Sequence, residues 1–183
     1  MKPIPIICVI ILATVLTLGC VEPPDEGNGD GAGNGTTYTS FTNSEFYVEY
    51  PSDWNVFIED TSPASITTEA FLGAEDEKGT GLYILGHKTP STTLLDFDES
   101  YESLLEDLQN SEDATVLDYE MSVNEAFIEY TSIKGGAVNV YSKTKFLGCI
   151  ESSYSCTASV ENICRSEYQE VINHIISTFK CNN

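Results

Sequence analysis

Several short stretches of the chain alternate between apolar and polar residues, as half-buried strands do. In the first of these, Phe46, Val48 and Tyr50 share one face. Pro51 has no amide hydrogen to donate to a strand ladder, so the predicted strand ends there and Trp54 is free to fold over the end of the sheet. Further strands are predicted at residues 66–72, 81–86, 115–121, 126–133, 137–147 and 154–160, with turns at 134–136 and 151–153.

Two stretches have the period of an amphipathic helix instead. The first covers residues 93–110, with apolar residues at Phe97, Tyr101, Leu104, Leu105 and Leu108. The second covers residues 167–179, with apolar residues at Tyr168, Val171, Ile172, Ile175, Ile176 and Phe179. Ser166 and Gln169 match a capping box at its start.

Each predicted helix is apolar on one side only, so each is expected to lie on a face of the sheet. The turns between the predicted strands are short, which favours antiparallel neighbours. The predicted fold class is therefore α+β, an antiparallel β-sheet with helices packed on its faces.

The first residues of the chain have the pattern of an export signal. The apolar run from Ile4 to Leu18 is shorter than the ~20 residues of a membrane-spanning helix and typical of a signal peptide. Residues 16–20 resemble a lipobox, although Thr17 and Leu18 depart from its commonest form. We therefore expect residues 1–19 to be a signal peptide and Cys20 to carry a lipid. An uncleaved anchor and an ordinary secretory signal are the alternatives.

Residues 20–37 are predicted to be the lipid-attachment cysteine and a flexible tether. Glycine recurs at every second position from 27 to 35, and no aromatic residue occurs before Tyr38. Such a segment cannot bury enough apolar surface to offset its ordering entropy. Asn34 begins a glycosylation sequon, which is used only if the host glycosylates surface proteins. Residues 38–183 are then one domain, held on the extracytoplasmic face of the cell membrane.

The chain is strongly acidic, with 29 Asp and Glu against 8 Lys and Arg, a net charge of −21. Processing would remove Lys2 and no acid, which makes the mature charge −22. No basic patch is available to meet phosphates, so nucleic acid is excluded as a partner. Anionic headgroups would repel the domain, so the membrane is expected to hold it through the lipid anchor.

Residues 46–54, Phe-Tyr-Val-Glu-Tyr-Pro-Ser-Asp-Trp, resemble the F-x-V-x-Y-P-x-x-W opening of the PsbP/Mog1-like family. Residues 94–101 are similar to the first helix of that family, and residues 154–179 to its closing strand and helix. The resemblance spans about residues 41–180 and implies an α/β/α sandwich around an antiparallel sheet. The family includes photosystem accessory proteins, a nuclear-transport factor and many exported lipoproteins. The resemblance thus implies binding or assembly, and the matched positions are structural.

Four cysteines lie in the predicted domain, at Cys149, Cys156, Cys164 and Cys181. They lack the spacing of a zinc knuckle, and an even number in an exported chain predicts two disulfides. The ~20 Å helix between Cys164 and Cys181 is too long for a disulfide between those two. The connectivity that combines 164–181 with 149–156 is therefore excluded. We expect 149–181 with 156–164, and the set 149–164 with 156–181 remains open.

The sequence has none of the common catalytic or nucleotide-binding motifs. His87 and His174 are isolated and expected on the surface. Acids at 75–77 and 96–99 are expected to be solvated charges, which leaves no predicted metal site, cofactor or catalytic residue. Five tyrosines in the predicted strands could line a pocket, but cross-strand pairs on the sheet are the favoured interpretation. They are Tyr47, Tyr83, Tyr119, Tyr130 and Tyr141.

These features predict a membrane-tethered extracytoplasmic lipoprotein that acts as a non-catalytic binding or assembly module. Its expected partner is a protein at the cell surface. Two alternatives remain open at this point, a lipoprotein that binds a small ligand or cation and an extracytoplasmic enzyme.

Overall fold

The computed structural model describes residues 36–43, 45–57, 68–77, 79–87, 96–149 and 153–182. In these ranges the chain forms ten strands and two α-helices, and every strand pair is antiparallel. The strands are β1 (Tyr38–Thr42), β2 (Phe46–Pro51), β3 (Asn55–Phe57), β4 (Thr68–Glu75), β5 (Gly81–His87), β6 (Ala114–Met121), β7 (Glu125–Lys134), β8 (Val138–Gly148), β9 (Ser153–Glu161) and β10 (Lys180–Cys181). The helices are α1 (Asp96–Asn110) and α2 (Arg165–Thr178).

Seven strands form one sheet in the order β3-β4-β5-β9-β8-β7-β6, and a small sheet has the order β1-β2-β10. The strand order follows from one crossing of the chain. After β5 the chain passes through α1 to β6 at the opposite edge of the sheet. Successive hairpins then bring β9 back beside β5. The hairpin between β7 and β8 turns at Gly135 and Gly136, whose φ angles of 60° and 76° favour glycine.

The larger core lies between the seven-stranded sheet and a layer made of α2 and the small sheet. Alternate residues of β2 and the apolar stripe of α2 point into it, because each element is apolar on one side only. Fully buried members of this core include Phe46, Val48, Ile84, Tyr154, Ile172, Ile175 and Phe179. Trp54 is also buried there, as its position after Pro51 suggested.

The smaller core lies under α1 on the opposite face of the sheet. Its buried residues are Tyr101, Leu108, Ala126, Ile128 and Phe146. Farther from α1, the same face carries paired hydroxyls on β8 and β9. Ser142 Oγ lies 2.8 Å from Ser159 Oγ, and Thr144 Oγ1 lies 2.9 Å from Thr157 Oγ1. These pairs satisfy polar groups that would otherwise be costly to bury.

The predicted α+β class is confirmed, with small shifts in the element bounds. The short strands β1, β3 and β10 were not predicted, because each has five residues or fewer and no clear alternation. The predicted capping box is wrong. Helix α2 begins at Arg165, so Ser166 lies inside it, and Gln169 Oε1 instead accepts a hydrogen bond from Arg165 Nε.

Other predictions fall outside the described residues. These are the signal peptide, Cys20, Asn34, residues 93–95 and the turn residues 151 and 152. Within the part of the chain that the structure describes, neither helix is long and apolar enough to cross a membrane.

Candidate interaction surface at the free edge of the sheet

Strand β6 stands at one edge of the seven-stranded sheet and, among the described strands, pairs only with β7. An edge strand presents a row of backbone N–H and C=O groups to solvent, and another chain can pair with them. We define the edge surface as residues 117–123.

The hairpin after β6 shows which backbone groups point outward. Ser122 N–H donates to the carbonyl oxygen of Glu125 at 2.8 Å, so this pair is hydrogen bonded across the hairpin. Hydrogen-bonded and non-hydrogen-bonded pairs alternate in an antiparallel ladder. The backbone groups of Met121 and Tyr119 therefore point away from β7, toward the free edge.

Two local features modify this edge. The pairing shifts by one residue between Val116 and Asp118, so Leu117 is the extra residue of a β-bulge. The carboxylate of Asp118 accepts a hydrogen bond of 2.9 Å from Tyr119 N–H. One outward donor is thus occupied within the strand, which protects the edge from unselective pairing.

The two faces of β6 differ in chemistry. Tyr119 pairs with Ile128 and Met121 pairs with Ala126, and both partners belong to the core under α1. Tyr119 and Met121 continue the same face onto the edge strand, yet they are 53% and 46% exposed. Val123 in the hairpin loop is 89% exposed. An apolar strip therefore runs along the α1 side of the edge.

The other face of β6 is acidic. Asp118 and Glu120 are exposed and point to the side of the sheet that carries Glu129 and Phe127, their cross-strand partners on β7. Successive side chains of a strand point to opposite faces, so acidic and apolar side chains alternate along the edge.

Two lysines and an arginine near this face form ion pairs with acids of the neighbouring strand β7. Arg165 Nη2 lies 2.7 Å from Glu129 Oε1, and Lys143 Nζ lies 3.6 Å from Glu129 Oε2. Lys145 Nζ lies 2.9 Å from Glu125 Oε2. These pairs neutralise acids of β7 and leave those of β6 to solvent.

The structure brings together two of the four predicted disulfide cysteines as expected. Cys149 and Cys181 form a disulfide with their Cα atoms 5.9 Å apart, which confirms that part of the preferred connectivity. Cys156 is a free thiol, so both 156–164 and 156–181 are wrong. Cys164 is buried and forms a disulfide, but not with Cys149, Cys156 or Cys181.

The error has a simple geometric cause. Strand β9 extends from Ser153 to Glu161, and Cys156 lies near its middle, facing the core. Five further strand residues span ~16 Å, so a turn cannot fold Cys164 back to Cys156. Burial raises the pKa of the Cys156 thiol to about 12, so it stays protonated and unreactive at neutral pH.

His174 is partly buried and has specific partners that the sequence did not reveal. Its Nε2 is 2.7 Å from Glu49 Oε2, and the ring of Tyr38 stacks on it at 3.7 Å. The hydroxyl of Tyr47 donates to the other oxygen of Glu49. The hydrogen bonds from Tyr47 and His174 lower the pKa of Glu49. This cluster joins β1 and β2 to α2, and its members are too far apart in the chain for any sequence pattern to connect them.

The other predicted groups do not converge on a site. Asp76 accepts hydrogen bonds from Thr80 N–H at 2.8 Å and from Tyr168 Oη at 2.6 Å, so it organises the turn after β4. Residues 96–99 form the first turn of α1, and His87 ends β5. In the ranges given above, no three His, Cys, Asp or Glu residues are grouped as a metal site would need.

The five tyrosines noted in the sequence lie on five different strands. Tyr141 is buried on the α2 side, where burial and the nearby Glu129 raise its pKa to about 12. Tyr130 packs on the α1 side, and burial raises its pKa as well. Tyr119 is at the free edge and Tyr47 in the small sheet, so these side chains line no common pocket.

Comparison with known proteins relates this architecture to solved structures. No protein-family model and no curated protein matches the sequence. The solution structure of cyanobacterial PsbP from Synechocystis sp. PCC 6803 matches with a TM-score of 0.57 at 18% identity, over 85% of this chain and 98% of that one. LpqN of Mycobacterium tuberculosis, described as involved in cell envelope biogenesis, matches with a TM-score of 0.49 at 10% identity, over 83% and 88%.

The match to cyanobacterial PsbP covers nearly all of that protein. It agrees with the resemblance of residues 46–54, which form β2 and the turn that buries Trp54. The chain therefore has the PsbP-like fold, an α+β sandwich of antiparallel strands and packed helices.

Proposed function

We propose that this protein is a membrane-tethered, extracytoplasmic binding module that holds a partner protein without catalysing a reaction on it. The observation that carries the proposal is the edge surface, where exposed apolar side chains lie on an open strand edge of a very acidic domain. Exposed apolar groups gathered in one place are typical of interaction sites. The PsbP-like fold is compatible with an accessory role.

The position of the tether supports this proposal. Residues 20–37 join the domain at β1, and Tyr38 at the start of β1 stacks on His174 of α2. Strand β6 belongs to the other sheet and contacts β7 and α1. A lipid on Cys20 would hold the domain at the membrane through β1 and leave the edge surface available to a partner.

The binding role is tested by site-specific photo-crosslinking in intact cells. A photoreactive residue at Met121 should give a discrete crosslinked product, because Met121 is at the centre of the proposed contact. The matched control is Val56, which is 44% exposed on β3 at the opposite edge. The product should disappear when Tyr119→Asp is added. Equal labelling from both positions, or none from Met121, would refute the proposal.

The membrane tether is tested separately. Cys20→Ser should block lipid attachment and processing, so the unprocessed chain should lack the mass of the lipid. The wild-type protein, by contrast, should sediment with membranes and be digested by protease added outside intact cells. A Cys20→Ser protein that still carries lipid and the mature N-terminus would show that Cys20 is not the attachment site.

A further inference from the structure

We infer that the partner binds by adding a strand to β6, through an extended segment in which apolar and basic side chains alternate. This inference rests on the proposed function and names the chemistry of the partner. The seven-stranded sheet would gain an eighth strand at its free edge.

The backbone supplies the first argument. Tyr119 and Met121 direct their N–H and C=O groups away from β7, and these groups match the spacing of an incoming strand. An extended peptide gains main-chain hydrogen bonds along such an edge and gains selectivity from alternate side chains. The bulge at Leu117 limits the regular part of this edge to the segment that follows it.

The side chains define what the added strand must carry. Residues opposite Tyr119 and Met121 would lie on the α1 side of the sheet, where apolar side chains would cover the exposed strip. Residues between them would lie on the face of Asp118 and Glu120. Basic side chains there would form favourable cross-strand ion pairs with these acids.

The same alternation argues against a second copy of this chain as the occupant. Two β6 strands paired with each other would bring the acids Asp118 and Glu120 of both copies onto the same face. Like charges placed opposite each other in a sheet are destabilising, and the net charge of −21 adds general repulsion. The free edge therefore selects a basic partner over self-association.

Asp118 has two roles in this arrangement. In the free protein its carboxylate accepts the outward N–H of Tyr119. When a strand is added, a backbone carbonyl of that strand accepts the hydrogen bond from Tyr119 N–H instead. The carboxylate of Asp118 is then released to pair with a basic side chain. The edge is thus protected until a segment with the correct charge arrives.

The test measures binding of synthetic peptides to the full-length protein in nanodiscs of zwitterionic lipid, by fluorescence anisotropy at fixed salt. The probe is a short peptide of alternating valine and lysine. A valine–glutamate peptide and a peptide with the same valines and lysines in two blocks are the controls. We expect both controls to bind at least about tenfold more weakly, because one reverses the charge and the other loses the alternation.

Backbone methylation separates strand addition from general electrostatic attraction. One probe carries N-methyl groups on its valines and another on its lysines, with identical charge. An antiparallel strand would lose binding when the valine amides are methylated, and a parallel strand when the lysine amides are methylated. Equal affinity of the two methylated probes would overturn the inference.

A charge-reversed protein provides the complementary measurement. Asp118→Lys with Glu120→Lys should bind the valine–glutamate peptide better than the valine–lysine peptide. The matched control reverses the same number of charges at Glu102 and Glu106, which are exposed on α1 and lie outside residues 117–123. Circular dichroism checks that both proteins are folded. An equal change of preference in both variants would overturn the inference.

These outcomes are distinct from those that test the proposed function. Crosslinking at Met121 together with equal binding of the methylated probes would retain a binding module and reject strand addition. Absence of any crosslinked product would reject the module itself, whatever the peptides do.

Discussion

The cysteines of the described domain show how single positions decide chemistry. Cys149 follows β8 and Cys181 lies in β10, so their disulfide joins the large sheet to the small one. Cys156 has a similar thiol but faces the apolar core from the middle of β9. The same residue type is a cross-link at one position and a core side chain at another, because position determines whether a second sulfur is in reach.

Replacing both members of the disulfide, Cys149→Ala with Cys181→Ala, should lower the free energy of unfolding by about 2–4 kcal/mol. The bridge spans a sequence separation of 32 residues, so its loss frees a long loop in the unfolded chain. Urea denaturation measures the difference. Cys156→Ala is the control and should cost about 1 kcal/mol through lost packing alone. Alkylation of Cys149 or Cys181 in the denatured, unreduced protein would contradict the assignment.

Glu49 gives a prediction of pH dependence. Its pKa is lowered from 4.5 in the folded protein by the hydrogen bonds of Tyr47 and His174, so ionised Glu49 stabilises the fold. This contribution is fully present above about pH 4.5 and is lost as the pH falls through the lower, folded pKa. On acidification, the free energy of unfolding of the wild-type protein should therefore fall more than that of the Glu49→Gln variant.

The measurement is the urea midpoint of both proteins over a series of acidic pH values. Glu102→Gln, on the exposed side of α1, serves as the control because it makes the same charge change away from the cluster. Midpoints for Glu49→Gln that follow the wild-type curve at every pH would contradict the role given to this cluster.

At the scale of elements, helix α2 and strand β6 illustrate two uses of an amphipathic pattern. Helix α2 packs beside the small sheet and on the large one, so most of its apolar stripe is buried. Strand β6 also has an apolar face, and its residues Ala114 and Val116 pack in the core under α1, whereas Tyr119 and Met121 are exposed. Both patterns are equally visible in the sequence. Position in the sheet decides which one builds the core and which one remains available.

Ile175→Ala should lower the free energy of unfolding by about 2–5 kcal/mol, because Ile175 is completely buried between α2 and the sheet. The matched control is Ile163→Ala, in the turn before α2, where the side chain is 68% exposed. That change should alter stability by no more than about 0.5 kcal/mol. Thermal or urea unfolding of the two variants in parallel gives the comparison, and similar losses would contradict the packing of α2 described above.

At the scale of the whole molecule, the described elements between Tyr38 and Cys181 form two sheets and two cores. Both ends of this region meet in the small sheet, where β2 pairs with β1 on one side and with β10 on the other. The disulfide at Cys181 fixes the same end to β8. Both ends of the described domain are therefore held in the small sheet.

A fragment of residues 38–183, exported to an oxidising compartment, should fold as an independent unit. It should unfold in one cooperative urea transition, because the strands and helices that form both cores are present. A second fragment that begins at Phe46 lacks β1 and the Tyr38 ring stacked on His174 and should be less stable. A fragment 38–183 that aggregates until residues 21–37 are restored would contradict this view.

Local patterns in the sequence determined much of the architecture. Alternation predicted the long strands, the helical stripes predicted α1 and α2, and residues 46–54 indicated the fold, because burial of one face imposes a period that depends only on neighbouring residues. The export signal, the lipid on Cys20 and the surface partner are also predictions of the sequence, and they await the experiments above.

Only the tertiary structure decided which of these elements meet. It placed β6 at a free edge, left Cys156 without a disulfide partner and brought Glu49 to His174. Each of these outcomes depends on strand order or on contacts between distant parts of the chain. Periodicity reports which side of an element is buried, and it carries no information about what covers that side. The alternation of acidic and apolar residues at 118–121 is visible in the sequence. Only the strand order, which puts these residues at the edge of the sheet, makes them a candidate binding surface.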